Sequence, residues 1–430
     1  MIPRELKPIA DSVIESKLPN GLKVRLVPSS AVPTISYYTF FNVGSRNERP
    51  GITGISHLFE HMMFNGAKKY GPGAFDRTLE SNGGSSNAYT SNDMTVYYED
   101  FMSEALEKVI DLESDRMRSL AVTPKMLKSE REVVIEERRL RVDNEIAGML
   151  DEELGTLVWK AHPYRWPVIG WMRDIEAITR EDCLDYFRTY YAPNNATLYI
   201  AGDFDPKEAM KLIKKYYGGI KPGPKAPPEV LDAEPEQRGE RRAEVQHPAQ
   251  APTLMIAWRG PAARDADTLV LDVLQYALSV GQSSRLIKSL VYEKEACVSL
   301  SVDWSWRKDP GAFVAAMELK PGADPKQAEA ALYAELEAVM SSGITERELQ
   351  KAKNNLAAQL LRELGTNNGR AHALGHYESL LGSWRDGLAL ASRYEQVTAA
   401  HVKEVATRYL KPSRRSVVTL VPTAEVEAAA

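Results

Sequence analysis

Two histidines four positions apart, with a glutamate just before the second, stand in Gly54-Ile-Ser-His57-Leu-Phe-Glu60-His61-Met-Met-Phe64. Positions i, i+3 and i+4 share one face of a helix. His57 and His61 can therefore close on one metal ion, with the Glu60 carboxylate beside it. The flanking Ile55, Leu58, Phe59, Met62, Met63 and Phe64 are apolar, so this helix is expected to be buried. Buried polar groups without partners are costly, and a bound Zn2+ would remove that cost. Zinc lowers the pKa of bound water to roughly 7, and a neighbouring carboxylate can take its proton and pass it to a leaving amine. Glu60 is the natural base. The reaction implied is metal-assisted amide hydrolysis, and the HxxEH order is HExxH reversed.

A catalytic zinc keeps three protein ligands and one open position. The stretch KSEREVVIEERRLRVD (128–143) offers Glu130, Glu132, Glu136 and Glu137 on one expected helix. Positions 130, 133, 134, 137 and 140 form one stripe, apolar at Val133, Val134 and Leu140. Glu137 on that stripe is the expected third ligand. Glu130, two turns earlier, is placed to hydrogen-bond a ligand histidine, which makes Glu60 and Glu130 the two catalytic carboxylates that are not ligands. Glu132 and Glu136 share a side with Ser129, Arg139 and Asp143 and read as solvated. His162, His247 and His401 have no ligand-like partners. His372 and His376 are again four apart, but sit among small residues with no acidic ligand pair nearby.

The surrounding chain reads as elements that could hold these groups. Residues 17–28 suggest strand, Asn20-Gly21 turn and strand, and 34–43 a second β run. A short helix over 72–82, a hairpin over 85–99 and a helix over 102–120 follow. Pro124 opens a helix expected to run to about 150. Thr179 starts a helix with a capping-box-like pattern, followed by a buried strand at 196–202 and a helix at 206–217. Residues 221–240 are rich in proline and read as a semi-extended linker. Beyond it the pattern repeats. Pro33-Thr34 returns as Pro252-Thr253, and Thr179, Tyr190 and Pro193 return as Thr398, Tyr409 and Pro412, all 219 residues later. The expectation is an α+β protein of two homologous domains, 1–220 and 247–430, joined by a linker at 221–246. Each would be a mostly antiparallel sheet with helices packed on it. The offset puts Tyr276, Ser279 and Val280 at the histidine-helix positions, so the second domain should hold no metal.

With 430 residues, 43% hydrophobic and 26% charged, the composition is that of a globular protein with sizeable cores. The net charge of −5 without a basic block excludes nucleic acid as the main partner. Cys183 and Cys297 are too few for a disulfide framework or a cysteine zinc site. No run of 18 apolar residues marks a membrane span. The N-terminus lacks the apolar core of a signal peptide, so a cytoplasmic location is expected, or a periplasmic one if an export signal has been removed.

GISHLFEHMMFNG, GGSSNAYTSNDMTVYY, the ERxVxxEE segment, YYAPNNATLYIAGDFDP and the duplication together resemble the insulinase–pitrilysin family of zinc peptidases, which includes the mitochondrial processing peptidase. The resemblance covers almost the whole chain. It implies one Zn2+ per chain on His57, His61 and Glu137, with Glu60 as base and Glu130 in support. It implies that the peptide substrate adds a strand to the sheet edge at 85–98, near Asn87, Ala88 and Tyr89. That is β-augmentation, which gives affinity through backbone bonds. One feature departs from the family pattern. Where relatives carry an Arg and a Tyr seven apart that complete the site, this chain has Val291 and Val298. Arg285 and Tyr292 are also seven apart but in another register, and read as a helix-surface arginine and a packed tyrosine. Family enzymes enclose substrate between four such domains, and this chain supplies two. The implied partner is a homologous subunit with the Arg/Tyr pair, forming a heterodimer, with a homodimer using Arg285 and Tyr292 as the runner-up. The activity implied is an endopeptidase on peptides or short unfolded segments. The alternatives are a maturation peptidase dedicated to one precursor, or a scaffold subunit without catalysis.

Overall fold

The computed structural model describes residues 2–224 and 226–423. The first sheet holds β1 (Ile14–Lys17), β2 (Lys23–Pro28), β3 (Thr34–Phe41), β4 (Ser85–Thr90), β5 (Thr95–Met102) and β6 (Ala196–Gly202), in the order β1-β2-β6-β3-β5-β4. The second holds β7 (Arg241–Pro248), β8 (Thr253–Arg259), β9 (Ser299–Trp304), β10 (Ala312–Glu318) and β11 (Arg415–Thr423), in the order β7-β11-β8-β10-β9. The β2–β6 and β7–β11 pairs are parallel and every other pair is antiparallel. Without β1, the two sheets have one topology, as the repeat requires. β3 and β8 begin at 34 and 253, and β6 and β11 at 196 and 415, each pair 219 residues apart.

The helices that matter here are α1 (Ile55–Met62), α2 (Pro124–Arg138), α3 (Ile146–Val158), α4 (Arg180–Tyr190), α5 (Asp267–Ser279), α6 (Glu346–Glu363), α7 (Asn367–Leu381) and α8 (Ala399–Tyr409). α4 and α8 obey the same 219-residue offset, and Thr179 and Thr398 each accept a backbone N–H as N-caps. α3 and α7 are also counterparts, and they cross over. α3, from the first half, lays Leu150, Leu154 and Val158 on Ala257, Val418 and Leu420 of the second sheet. α7, from the second half, lays Ala371 and Leu374 on the core that holds Tyr38, Phe40 and Tyr199 of the first sheet. A Cβ on Gly375 would stand 2.1 Å from the Phe40 ring, so only glycine lets α7 lie this close. Polar bonds fix its position. Asn368 accepts from the Tyr38 hydroxyl at 2.9 Å and donates to Asp100 at 2.7 Å. Glu378 accepts from Arg25 at 2.8 and 3.1 Å and from the Tyr199 hydroxyl.

Several expectations need correction. The first strand lies earlier than expected, at 14–17, and Gly21 turns the chain back with φ of 94°. The helix opened by Pro124 does not reach 150. It ends at Arg138, passes through a π turn at Arg139–Asp143, and restarts at Ile146. The break follows from Arg138, which is buried and ion-paired to Asp143 and Glu152 at 3.2 and 2.8 Å. The stripe on α2 is not buried throughout: Val134 is, but Val133 is 47% and Leu140 70% exposed. The buried residues of α2 are Leu127, Val134 and Arg138, so Glu130 and Glu137 flank that face. The 221–240 segment is extended as expected, yet anchored. Glu234 accepts the backbone N–H groups of Lys160, Ala161 and His162 at 2.8, 2.8 and 3.1 Å.

Glu378 is the buried polar group on which the α7 contact turns. Glu378→Ala would remove the nearer carboxylate of the buried Arg25, leaving only Glu15 at 3.4 Å, and should lower unfolding stability by about 3 kcal/mol. Urea denaturation reads this directly, and a loss under 1 kcal/mol would mean that apolar packing alone seats α7.

Candidate metal centre

α1 is held at its start by a carboxylate. The buried Glu48 accepts the backbone N–H groups of Gly54 and Ser56, both at 2.8 Å, which suits the positive end of a helix. Burial pushes Glu48 up to about 8, although those bonds favour its ionised form. Gly54 has φ of 88°, and a Cβ there would meet the Ile169 carbonyl at 2.3 Å. Its backbone crosses that of Gly170, whose carbonyl accepts from Arg138 of α2 at 2.7 Å. Gly54, Gly170 and Arg138 thus tie the first turn of α1 to the last turn of α2. One side of α1 is buried through Ile55, Leu58, Phe59 and Met62, and Tyr97 donates to the Phe59 carbonyl at 3.2 Å.

The other side of α1 faces α2. His57 Nε2 lies 3.6 Å and His61 Nε2 3.2 Å from Glu137 Oε2. One ligand atom from each of the three residues falls within 4.8 Å of the others. Ligands at about 2.1 Å around a tetrahedral zinc stand roughly 3.4 Å apart, so the two measured edges bracket that spacing. Two nitrogens and one oxygen are donors that zinc takes. All three residues are partly exposed, which suits a site with an open position. The residues present fit a zinc ion. Glu130 sits on the far side, 3.7 Å from His61 Nδ1, and Arg141 reaches Glu137 Oε1 at 3.0 Å. Glu132 and Glu136 point into solvent.

The electrostatics separate the two histidines. Burial and the neighbouring His61 hold His57 down at about 4, so its ring is neutral. Burial also pulls on His61, but Glu130, Glu137 and Glu60 outweigh it and raise His61 to about 9. Glu60 is pushed up by burial and by Glu137, against the opposing pull of His61 and of Thr90 at the end of β4. The Thr90 hydroxyl is buried and makes no well-aligned hydrogen bond. Thr90 was not singled out by sequence reasoning; its only signal was two positions' distance from Ala88 on the same strand face.

Asn87, Ala88 and Tyr89 lie on β4, which pairs only with β5 and is an edge of its sheet. The Ala88 N–H is held by the Asn87 side-chain oxygen at 2.8 Å. α1 packs against β4 and β5, so the edge runs beside the histidine helix. Three other sequence readings change. Tyr292 is 57% exposed and not packed. Arg285 is bound to Glu348 by two bonds of 2.7 Å, so it is not free to serve elsewhere. The His372 and His376 pair does have a carboxylate nearby, Glu363, 3.0 Å from His372 Nδ1. At the histidine-helix positions of the second half, Tyr276 lies on α5 with no metal-ligand cluster among the described residues.

Among the described residues this duplicated α+β chain has one cluster that could hold a metal ion, and it lies in the first half. The model described as "Insulinase (Peptidase family M16)" matches residues 26–170, and "Peptidase M16 inactive domain" matches 177–356. The chain is 32% identical over 409 residues to "Zinc protease PqqE" of Helicobacter pylori, covering 94% of this chain and 92% of that protein. It is 24% identical over 406 residues to "Probable mitochondrial-processing peptidase subunit beta, mitochondrial" of Arabidopsis thaliana, covering 91% and 75%. The crystal structure of a protease from Helicobacter pylori aligns with a TM-score of 0.91 at 31% identity, covering 95% of this chain and 99% of that one. The chain belongs to the insulinase family, peptidase family M16. Among the described residues no helix is long and apolar enough to cross a membrane.

The two histidines should titrate far apart. In chelator-treated protein, NMR should find His61 protonated at pH 7 and titrating near pH 9, and His57 neutral down to about pH 4. Because the folded pKa of His61 lies above its unfolded value of about 6.5, its contribution to stability is full below pH 6.5 and is lost as pH rises through 9. Equal titration of both rings near 6.5 would contradict the geometry.

Proposed function

We propose that this chain is a zinc-dependent endopeptidase whose metal is held by His57, His61 and Glu137. The observation that carries this reading is the convergence of three ligand atoms within 4.8 Å while Glu60, on the same helix, is left over. A zinc ion there supplies a Lewis acid for a peptide carbonyl and a lowered pKa for water. Glu60 is the group that takes a proton from water and returns it to the leaving amine. Burial raises it from the ordinary carboxylate range, which moves it towards the pH at which it must work. Glu130, 3.7 Å from His61 Nδ1, is the carboxylate placed to draw that ring nitrogen and so aim Nε2 at the metal. An extended peptide pairs with β4 at Asn87, Ala88 and Tyr89, taking over the Ala88 N–H from the Asn87 side chain.

The reading divides the chain into a metal-binding domain at 1–220, a linker at 221–246 and a metal-free domain at 247–430. It includes a second subunit. Val133 on α2 and Leu140 in the π turn after it are apolar and exposed near Glu137, and Tyr292 and Val298 are exposed on the second half. A second subunit would cover these positions. The partner is a homologous chain that supplies the Arg and Tyr for which Val291 and Val298 stand here. Arg285 is engaged with Glu348, which disfavours a homodimer built on Arg285 and Tyr292.

Glu60→Gln should keep about one zinc per chain and lower kcat on an unstructured fluorogenic peptide by roughly 10²- to 10⁴-fold. His57→Ala and Glu137→Gln should lose the zinc, read by elemental analysis. Near-normal turnover by Glu60→Gln would mean another base. The chain purified alone should hydrolyse poorly and gain activity with its homologous partner, and a fully active monomer would rule the second subunit out.

A further inference from the structure

His372 takes no part in the metal centre, yet it is joined to the strand beside it. Its Nδ1 lies 3.0 Å from Glu363 Oε1 and its Nε2 lies 3.1 Å from the Tyr89 hydroxyl. With Glu363 accepting from Nδ1, Nε2 is left to accept from the Tyr89 hydroxyl. Glu363 ends α6 and His372 lies on α7, both in the second half, while Tyr89 lies on β4 in the first. The His372 ring also packs against the Tyr38 and Tyr89 rings, with centroids 6.0 and 5.9 Å apart.

β4 is held from both faces. Tyr89 packs into the core shared with the second half, and Ala88 into the core behind α1. Thr90, on the same face as Ala88, stands beside Glu60. Along its outer edge β4 has no strand neighbour, and an edge strand without side-chain anchors opens at low cost. We infer that His372 and Glu363 are positioning residues, which hold β4 through the Tyr89 hydroxyl in the place where an extended peptide docks. The half of the chain without metal ligands thereby shapes the peptide site without touching the reacting atoms. This inference rests on the proposed endopeptidase reading for what β4 binds.

Peptide affinity tests it in a protein that does not turn over. In a Glu60→Gln background, fluorescence polarisation with a labelled unstructured peptide should show that Tyr89→Phe weakens binding about five- to tenfold, as the loss of one hydrogen bond allows. His372→Ala should do the same, and the double variant should bind no worse than either single one, since both break one link. In the active protein, KM should rise by the same factor with kcat changed less than about twofold, and Glu363→Gln should fall between wild type and His372→Ala. Tyr89→Phe keeps the ring and removes only the hydroxyl, so it tests the link even if His372→Ala folds poorly. Unchanged affinity in Tyr89→Phe, or additive losses in the double variant, would overturn the inference. If the active protein hydrolyses peptides while neither affinity nor KM moves, the inference falls and the endopeptidase reading stands. If the chain together with its homologous partner hydrolyses no peptide but affinity falls as stated, the endopeptidase reading falls and the role of His372 stands.

Discussion

Everything at the metal centre depends on how closely two helices far apart in sequence can approach. His57 and His61 lie on α1 and Glu137 on the last turn of α2, and their ligand atoms must meet at little more than 3 Å. The close crossing of Gly54 and Gly170 makes this possible, because a Cβ on either would strike a backbone carbonyl at 2.3 or 2.4 Å. Arg138, next in sequence to Glu137, then binds the Gly170 carbonyl. The ligand on α2 and the start of α1 are thus set by one continuous contact. Without a metal ion, burial and His61 hold His57 down at about 4, while Glu130 and Glu137 raise His61 to about 9, so a positive charge is favoured between the two helices.

The second constraint is the exchange of covering helices. Each half lends one helix to the other's sheet, α3 outward and α7 back. Neither sheet would have that face covered if the halves separated, so the halves are joined by their cores as well as by the linker. The exchange brings α7 against the first sheet, and with it His372 against Tyr89 of the edge strand. The second half, which has no metal-ligand cluster among its described residues, is in this way built into the neighbourhood of the first-half cluster.

Much of this was legible in residue types and spacing. The histidine pair, the leftover Glu60 and the 219-residue repeat are local or periodic signals, and the structure has them. The choice of Glu137 over Glu136 agrees with where the side chains point, though part of its rationale does not hold: Val133 and Leu140 are exposed, and the buried face of α2 is set by Leu127, Val134 and Arg138. The break between α2 and α3 was not legible, because it depends on Arg138 finding Asp143, Glu152 and the Gly170 carbonyl. The exchange of α3 and α7 was not legible either. Their apolar faces announce burial, but nothing local says which sheet they cover. Tyr292 reads as a core residue by type and is exposed by position.

The central claim is that one zinc ion sits among His57, His61 and Glu137. Anomalous diffraction at the zinc edge tests it most directly. The account predicts one peak per chain at roughly 2.1 Å from His57 Nε2, His61 Nε2 and a Glu137 oxygen, with Glu60 and Glu130 outside bonding distance. A crystal of zinc-supplied protein with no peak there, or with the peak on His372 and His376 instead, would contradict it.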